Sequence, residues 1–301
     1  AERATGGGDT KLYIFFTDYV NPLTATQKVE AGARVAYRDY KSWNDNYIQD
    51  PVSGDYIIIP AITVKYNFND IIYAAYGTYS QQIKSFNYQL GLRAESSNYH
   101  GELTNKNQEF SNNYPLSLFP SLFVSKKINA KQEMQFNYSR KINRPGFYQI
   151  LPFVDFSDSL NLAVGNPDLI PEFTNLVELS WSLQYKPNQS LLATVYGKNT
   201  SNFITRYQYK DANTDPSKPD SVIYISYANA SQSYTIGLEI TGKNKINKWW
   251  DITSNINFFD VSLKASNITG LPDYNQFSWF AKVNNSFRMP KNFSLQLSAD
   301  Y

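Results

Sequence analysis

Hydrophobic and polar positions alternate with period two through most of the chain, and helical spacing is almost absent. Period two is the mark of a strand with two unlike faces. In the segment 177–185, Val177, Leu179, Trp181, Leu183 and Tyr185 share one face, and Glu178, Ser180, Ser182 and Gln184 share the other. Phe293, Leu295, Leu297, Ala299 and Tyr301 alternate in the same way with Ser294, Gln296, Ser298 and Asp300. The pattern predicts about twelve strands, near 11–20, 27–41, 62–80, 85–98, 114–128, 131–142, 172–186, 190–208, 220–245, 249–263, 275–288 and 292–301.

The predicted connections alternate in length. Short ones fall at 21–26, 81–84, 129–130, 187–189, 246–248 and 289–291, with turn formers such as Pro187-Asn188 and Pro290-Lys291-Asn292. Long ones fall at 42–61, 99–113, 143–171, 209–219 and 264–274. Alternation alone would also suit a soluble sandwich. Strand length separates the two, since soluble strands usually run about 5–6 residues and a membrane-crossing strand needs roughly 9–11. Short turns at one rim and long loops at the other are how outer-membrane barrels are built. Trp249-Trp250, beside a short turn, suits the membrane–water boundary, where an apolar ring with a polar tip is satisfied at both ends. There is no run of 18 apolar residues and mean hydropathy is -0.46, so the chain has no transmembrane helix. No fixed repeat suggests a propeller or solenoid. The expected fold is all-β, an antiparallel transmembrane β-barrel.

Charge fixes which face is which. Glu30, Arg34, Arg38, Arg93, Glu95, Glu178 and Glu239 all fall on the polar faces of their strands. An Arg or Lys facing lipid at mid-depth would cost about 2–4 kcal/mol, so these faces are expected to line the lumen, either as a solvated wall or as ion-pair partners for whatever fills the barrel. The chain of 301 residues has a net charge of only +2, which argues against nucleic acid as a partner. It contains no cysteine and one histidine, His100 in a polar stretch, so disulfides, thiolate sites and histidine-rich metal centres are excluded. Asp155, Asp158 and Asp168 share one predicted loop, but their spacing fits no compact calcium loop. No Ser-His-Asp set or phosphate-cradling glycine loop is evident, and no cofactor is called for. The opening Ala-Glu-Arg-Ala-Thr-Gly-Gly-Gly reads as a processed or cut end, and the final residues stop inside a predicted strand, so a piece of a longer protein is expected.

One stretch carries a family resemblance. Tyr138-Ser139-Arg140-Lys141-Ile142-Asn143-Arg144-Pro145 is followed by Leu151-Pro152-Phe153, then by Gly165-Asn166-Pro167-Asp168-Leu169-Ile170-Pro171-Glu172 and an alternating strand. This resembles the central barrel of TonB-dependent outer-membrane receptors of the Bacteroidetes type, where a Tyr-Ser-Arg strand end leads through a long outer loop to a Gly-Asn-Pro-x-Leu-x-Pro-Glu motif. Ile72-Tyr73-Ala74-Ala75-Tyr76 and Gly91-Leu92-Arg93-Ala94-Glu95 look like paired strands of that family. The likeness spans residues 62–186 and is weaker through 301. It implies that residues 1–301 form part of one barrel domain of about 22 strands, seated in the bacterial outer membrane and taking up a large or scarce nutrient without a chemical step. It further implies a plug domain and TonB box that are not in this chain, outer-membrane lipid and TonB as partners, and a surface lipoprotein lid as an optional further partner.

The motif loop also has a plain structural reading. Pro167 and Pro171 fix φ and bar helix, Gly165 permits positive φ, and Asp168 and Glu172 are expected to accept loop backbone bonds or to pair with Arg140 or Arg144. Contact with ligand is the functional alternative. Two other readings of the whole chain stay open: a plug-less pore or assembly-type barrel in which the twelve strands close by themselves, and a soluble all-β glycan-binding module.

Overall fold

The computed structural model describes residues 1–155, 161–212 and 221–301. In chain order its elements are β1 (Glu2–Thr24), β2 (Gln27–Gln49), β3 (Tyr56–Ile58), β4 (Val64–Ile83), β5 (Phe86–Leu103), β6 (Gln108–Asn129), β7 (Gln132–Asn143), α1 (Phe147–Ile150), β8 (Val154–Asp155), β9 (Asn161–Val164), β10 (Glu172–Lys186), β11 (Gln189–Ala212), β12 (Ser221–Lys245), β13 (Trp250–Lys264), β14 (Tyr274–Arg288) and β15 (Ser294–Asp300). Twelve of the strands pair in the order β1-β2-β4-β5-β6-β7-β10-β11-β12-β13-β14-β15. These are the twelve strands that the alternation predicts. The three short strands hang on the wall, with β3 on β2 and β8–β9 beside β12. Each neighbour follows the last in sequence and pairs antiparallel, so the wall is a simple meander.

Register carries the polar face from strand to strand. Residues directly opposite one another in an antiparallel pair point to the same side. Arg38 stands opposite Asp70, and Asp70 opposite Tyr99. Glu178 stands opposite Asn137 on β7 and opposite Tyr196 on β11, and Glu239 stands opposite Asn257. The other face is apolar and uncovered: Val177 is 43%, Leu179 48%, Ile236 67% and Leu297 53% exposed. A soluble sandwich would bury those side chains against a second sheet. Here the apolar surface must be met by lipid.

Among the described residues most of the buried apolar side chains gather in two clusters beside the long connections. One joins Tyr66, Phe68, Tyr99, Leu103, Phe110 and Tyr114 on the strands to Ile150, Leu151 and Leu169 of the segment between β7 and β10. The other joins Ala230, Leu263, Ala265 and Ile268. Among the described residues β1 pairs only with β2 and β15 only with β14. The sheet is therefore open, and the reading in which twelve strands close on themselves is not what these strands form.

Several strands outrun their predicted lengths. β1 begins at Glu2 rather than near 11, β2 continues to Gln49, and β5 and β6 run to Leu103 and from Gln108. The expected long loop 99–113 is instead a tall hairpin closed over 104–107, with Asn107 at φ 50. Both faces of such an extension stand above the bilayer, so nothing there imposes apolar–polar alternation, while backbone pairing continues. The glycine run belongs to β1: Gly6, Gly7 and Gly8 lie opposite Asn44, Trp43 and Ser42, and the Trp43 indole covers Gly7, where an added Cβ would stand 3.2 Å from its Nε1. At the opposite rim the tight turns use positive φ at Lys84 and Asn188, as two-residue hairpins demand.

Candidate functional site

The described parts of the connection between β7 and β10, residues 144–155 and 161–171, do not project away from the wall. They fold against the polar face, and their anchors are strand side chains. Arg144, just after β7, donates from Nη2 to Glu95 Oε2 at 2.7 Å and from Nε to Ser97 Oγ at 2.9 Å. Arg93 pairs with the same Glu95. Glu95 is 8% exposed and its carboxylate stands between two guanidinium groups, an arrangement that compensates the loss of water around it.

The motif beginning at Gly165 crosses over the β7–β10 hairpin and ties strands on both sides of it. Towards β5 and β6, the Tyr99 hydroxyl donates to the Pro167 carbonyl at 2.8 Å and the Tyr114 hydroxyl to the Leu169 carbonyl at 3.2 Å. Towards β12, Asn166 Nδ2 donates to the Tyr227 carbonyl at 3.0 Å. Asn229 accepts from the Ile170 N–H at 3.0 Å and donates to the Ile170 carbonyl at 2.9 Å. Glu172 opens β10 with its carboxylate receiving Asn143 Nδ2 and the Ile204 N–H, both at 2.7 Å. Arg140 lies over the Phe173 ring at 5.0 Å. The structure thus pairs Arg144 with Glu95, a wall residue, and places Glu172 on an asparagine and a backbone N–H. Pro145 lines the pocket described below, and the Asp168 N–H donates an Asx-type bond to Asn166 Oδ1 at 3.0 Å. Gly165 does not take positive φ. It is needed for space, because a Cβ there would stand 2.7 Å from the Leu151 backbone nitrogen. Of the aspartates considered for calcium, Asp158 and the side chain of Asp155 lie outside the described residues.

Between this segment and strands β1 to β6 lies a pocket of about 370 Å³. Phe68, Tyr99 and Ile150 form its apolar lining, and Arg34, Arg38, Arg144 and Asp70 its charged lining. Arg38 Nε donates to Asp70 Oδ1 at 2.6 Å and its guanidinium also lies 5.7 Å from the Phe68 ring centre. Arg34 has no acidic partner among the described residues. The pocket therefore presents the Arg34 guanidinium, without an acidic partner among the described residues, in a lining that also holds aromatic surface, which suits an anionic ligand with a planar or apolar part. Further along the wall the remaining charges are satisfied locally: Glu30 by Lys28 at 2.8 Å and Thr78 at 3.1 Å, Glu178 by Asn137 at 2.7 Å, and Glu239 by Asn255 at 2.6 Å. Sequence reasoning named the charged wall residues and the motif but missed Tyr99, Tyr114, Asn229 and Phe68. Their aromatic or amide character on a lumen face was the available signal.

Comparison with known proteins places this geometry. The sequence matches the outer membrane protein beta-barrel family over residues 2–301. The comparison with curated proteins found no match. Among solved structures, the ferric citrate transporter FecA in its unliganded form superposes with a TM-score of 0.66 at 12% identity, covering 99% of this chain and 42% of that one. The alcaligin outer membrane receptor FauA from Bordetella pertussis gives 0.61 at 13% identity, covering 99% and 47%. The siderophore receptor PirA from Pseudomonas aeruginosa gives 0.52 at 12% identity, covering 99% and 64%. At these identities the likeness is one of fold, and this chain spans about half the length of the solved chains it matches. With the whole meander inside the family match and its apolar face bare, the chain belongs to the outer membrane protein beta-barrel family and forms an arc of barrel wall in the outer membrane.

Proposed function

We propose that this chain is the barrel wall of a TonB-dependent receptor that takes up a large or scarce nutrient. The observation that carries the reading is the open twelve-strand arc. Free strand edges cannot face lipid, because each unpaired N–H and C=O there costs several kcal/mol, so more strands complete the barrel and its lumen is wider than twelve strands would enclose. Barrels of about 22 strands hold a plugged lumen, and a plugged lumen needs energy to open. The fold likeness to solved receptors and transporters supports this reading. A separate plug domain, TonB as the energy donor and a surface lipoprotein as an optional lid are parts of the proposal.

In this scheme the wall performs no chemical step. Its apolar face holds the barrel in lipid, and its polar face receives the plug. The pocket around Arg34, Arg38 and Arg144 offers cationic and aromatic surface to the anionic part of a ligand or plug. The test uses the complete protein that carries this chain. Uptake should cease in cells lacking TonB, and the purified protein should show no steady conductance in planar bilayers. TonB-independent uptake together with open-channel conductance would favour a passive pore and overturn the proposal.

A further inference from the structure

The six short connections lie at 25–26, 84–85, 130–131, 187–188, 246–249 and 289–293. Each carries a lysine within two residues: Lys28, Lys84, Lys131, Lys186, Lys248 and Lys291. All six are exposed, and of the six only Lys28 has an acidic partner, Glu30, among the described residues. Within three residues of these connections stand ten basic residues and two acidic ones, Glu133 and Asp251. That is a local charge of +8 in a chain whose total is +2, so the remainder of the chain carries -6. The charge is polarised along the strand direction, with the cationic end at the short turns.

The height of this rim relative to the bilayer is marked by aromatic residues. Trp249, Trp250 and Phe287 stack with centroids 5.8 to 6.2 Å apart, and Trp249 is 52% exposed. Elsewhere along the same rim, Lys126 Nζ lies 4.9 Å above the Phe86 ring, and Tyr185 and Phe293 are exposed. Such rings settle at the level where acyl chains give way to headgroups. Lys84, Lys186, Lys248 and Lys291 lie one or two residues from Phe86, Tyr185, Trp249 and Phe293.

We propose that the short-turn rim is a docking ring for anionic phospholipid headgroups of the leaflet it faces. Hairpins repeat every two strands, about 10 Å along the wall, so the lysines are spread around the whole arc rather than gathered in one patch. A spread ring fits a lipid leaflet, which meets every hairpin at once, better than a single acidic protein. It also gives the barrel a preferred depth, because sinking or rising would pull the ammonium groups from the phosphates. This inference needs only the outer-membrane location and not the transport reading.

The test places the complete protein in bilayers and measures quenching of its tryptophans by brominated phosphatidylglycerol against brominated phosphatidylcholine. The wild type should prefer the anionic lipid several-fold at low salt, and the preference should fade at high salt. The quadruple variant Lys84→Gln, Lys131→Gln, Lys248→Gln, Lys291→Gln should lose most of that preference, and the matching Lys→Arg variant should keep it. Equal quenching by both lipids in the wild type, or unchanged preference in the Gln variant, would overturn the proposal. Inorganic phosphate should do no more than chloride at equal ionic strength. If phosphate alone abolished the preference, the ring would be a site for the free ion and the lipid assignment would fall.

Discussion

The Tyr76 hydroxyl donates to Asp18 Oδ1 at 2.6 Å across an intervening strand, and its ring lies over Gly32. β1, β2 and β4 are thereby tied on the lumen face by one side chain. The bond exists because position 32 has no side chain: a Cβ there would stand 2.6 Å from Asp18 Oδ1 and 2.7 Å from the Thr17 carbonyl. The same device recurs where Phe110 covers Gly101 and Tyr196 covers Gly237.

Gly32→Leu should therefore displace the Tyr76 ring, break the bond to Asp18 and destabilise the wall by about 1–3 kcal/mol, the usual range for overpacking. Gly77, where an added Cβ would meet nothing nearer than 3.9 Å, supplies the control, and Gly77→Ala should be nearly neutral. Thermal unfolding of the barrel in detergent, read by the shift from the folded to the unfolded band on unheated gels, measures both. Equal midpoints for the two variants would show that the ring-over-glycine contact contributes nothing.

Arg144 and Glu95 should behave as a coupled pair. Arg144→Met leaves the buried Glu95 with Arg93 alone, and Glu95→Gln leaves Arg144 without its carboxylate. Each single change should cost roughly 1–3 kcal/mol, and a double-mutant cycle should show coupling of about 0.5–3 kcal/mol, as for residues in one network. Because Arg144 starts the segment that crosses the lumen face, the same variants should raise proteolytic cleavage within residues 144–155. Strict additivity in the cycle would mean that the contact does not hold the segment.

Asp273, in the connection between β13 and β14, gives a pH dependence of known sign. Lys264 beside it, 3.2 Å away, and the N–H groups of Ser266 and Ala265 hold its carboxyl below the usual carboxylate range. Its pKa is lower folded than unfolded, so its contribution is full above the unfolded value of about 3.9 and is lost as pH falls through the folded value. Amide exchange in residues 265–273, compared at matched intrinsic rates, should therefore accelerate in acid more than in the neighbouring strands. Asp273→Asn should show that faster exchange already at neutral pH. A loop equally protected in the variant and the wild type would contradict this.

How far the sequence reveals the structure follows from which solvent each residue meets. Where a strand crosses lipid, one face must be apolar and the other wet, and β10 is legible to the residue as Glu172–Lys186. Above the bilayer that constraint ends. The hairpin of β5 and β6 continues through Thr104, Asn105, Lys106 and Asn107 with no alternation to announce it. The motif from Gly165 to Glu172 is visible as a set of residue types, yet its partners are not. Asn229, Tyr99 and Tyr114 stand at least 55 residues from the motif groups they bind, and only the strand register brings them to one face. The reason for Gly165 is of the same kind, since the atom it must admit belongs to Leu151. The open sheet is likewise a property of pairing, and no local pattern encodes it.

The central claim is that the apolar face of these strands meets lipid and the polar face meets water. Nitroxide labels placed one at a time at Val177, Glu178, Leu179 and Ser180, in the complete protein in bilayers, test it directly through collision with oxygen and with a water-soluble nickel chelate. Positions 177 and 179 should be open to oxygen and closed to nickel, while 178 and 180 should show nickel access or burial against lumen contents, with little oxygen access, giving a two-residue period. If 177 and 179 were shielded from both reagents, or as open to nickel as their neighbours, the apolar face would be packed against protein or bathed in water, and the account of this chain as membrane barrel wall would fail.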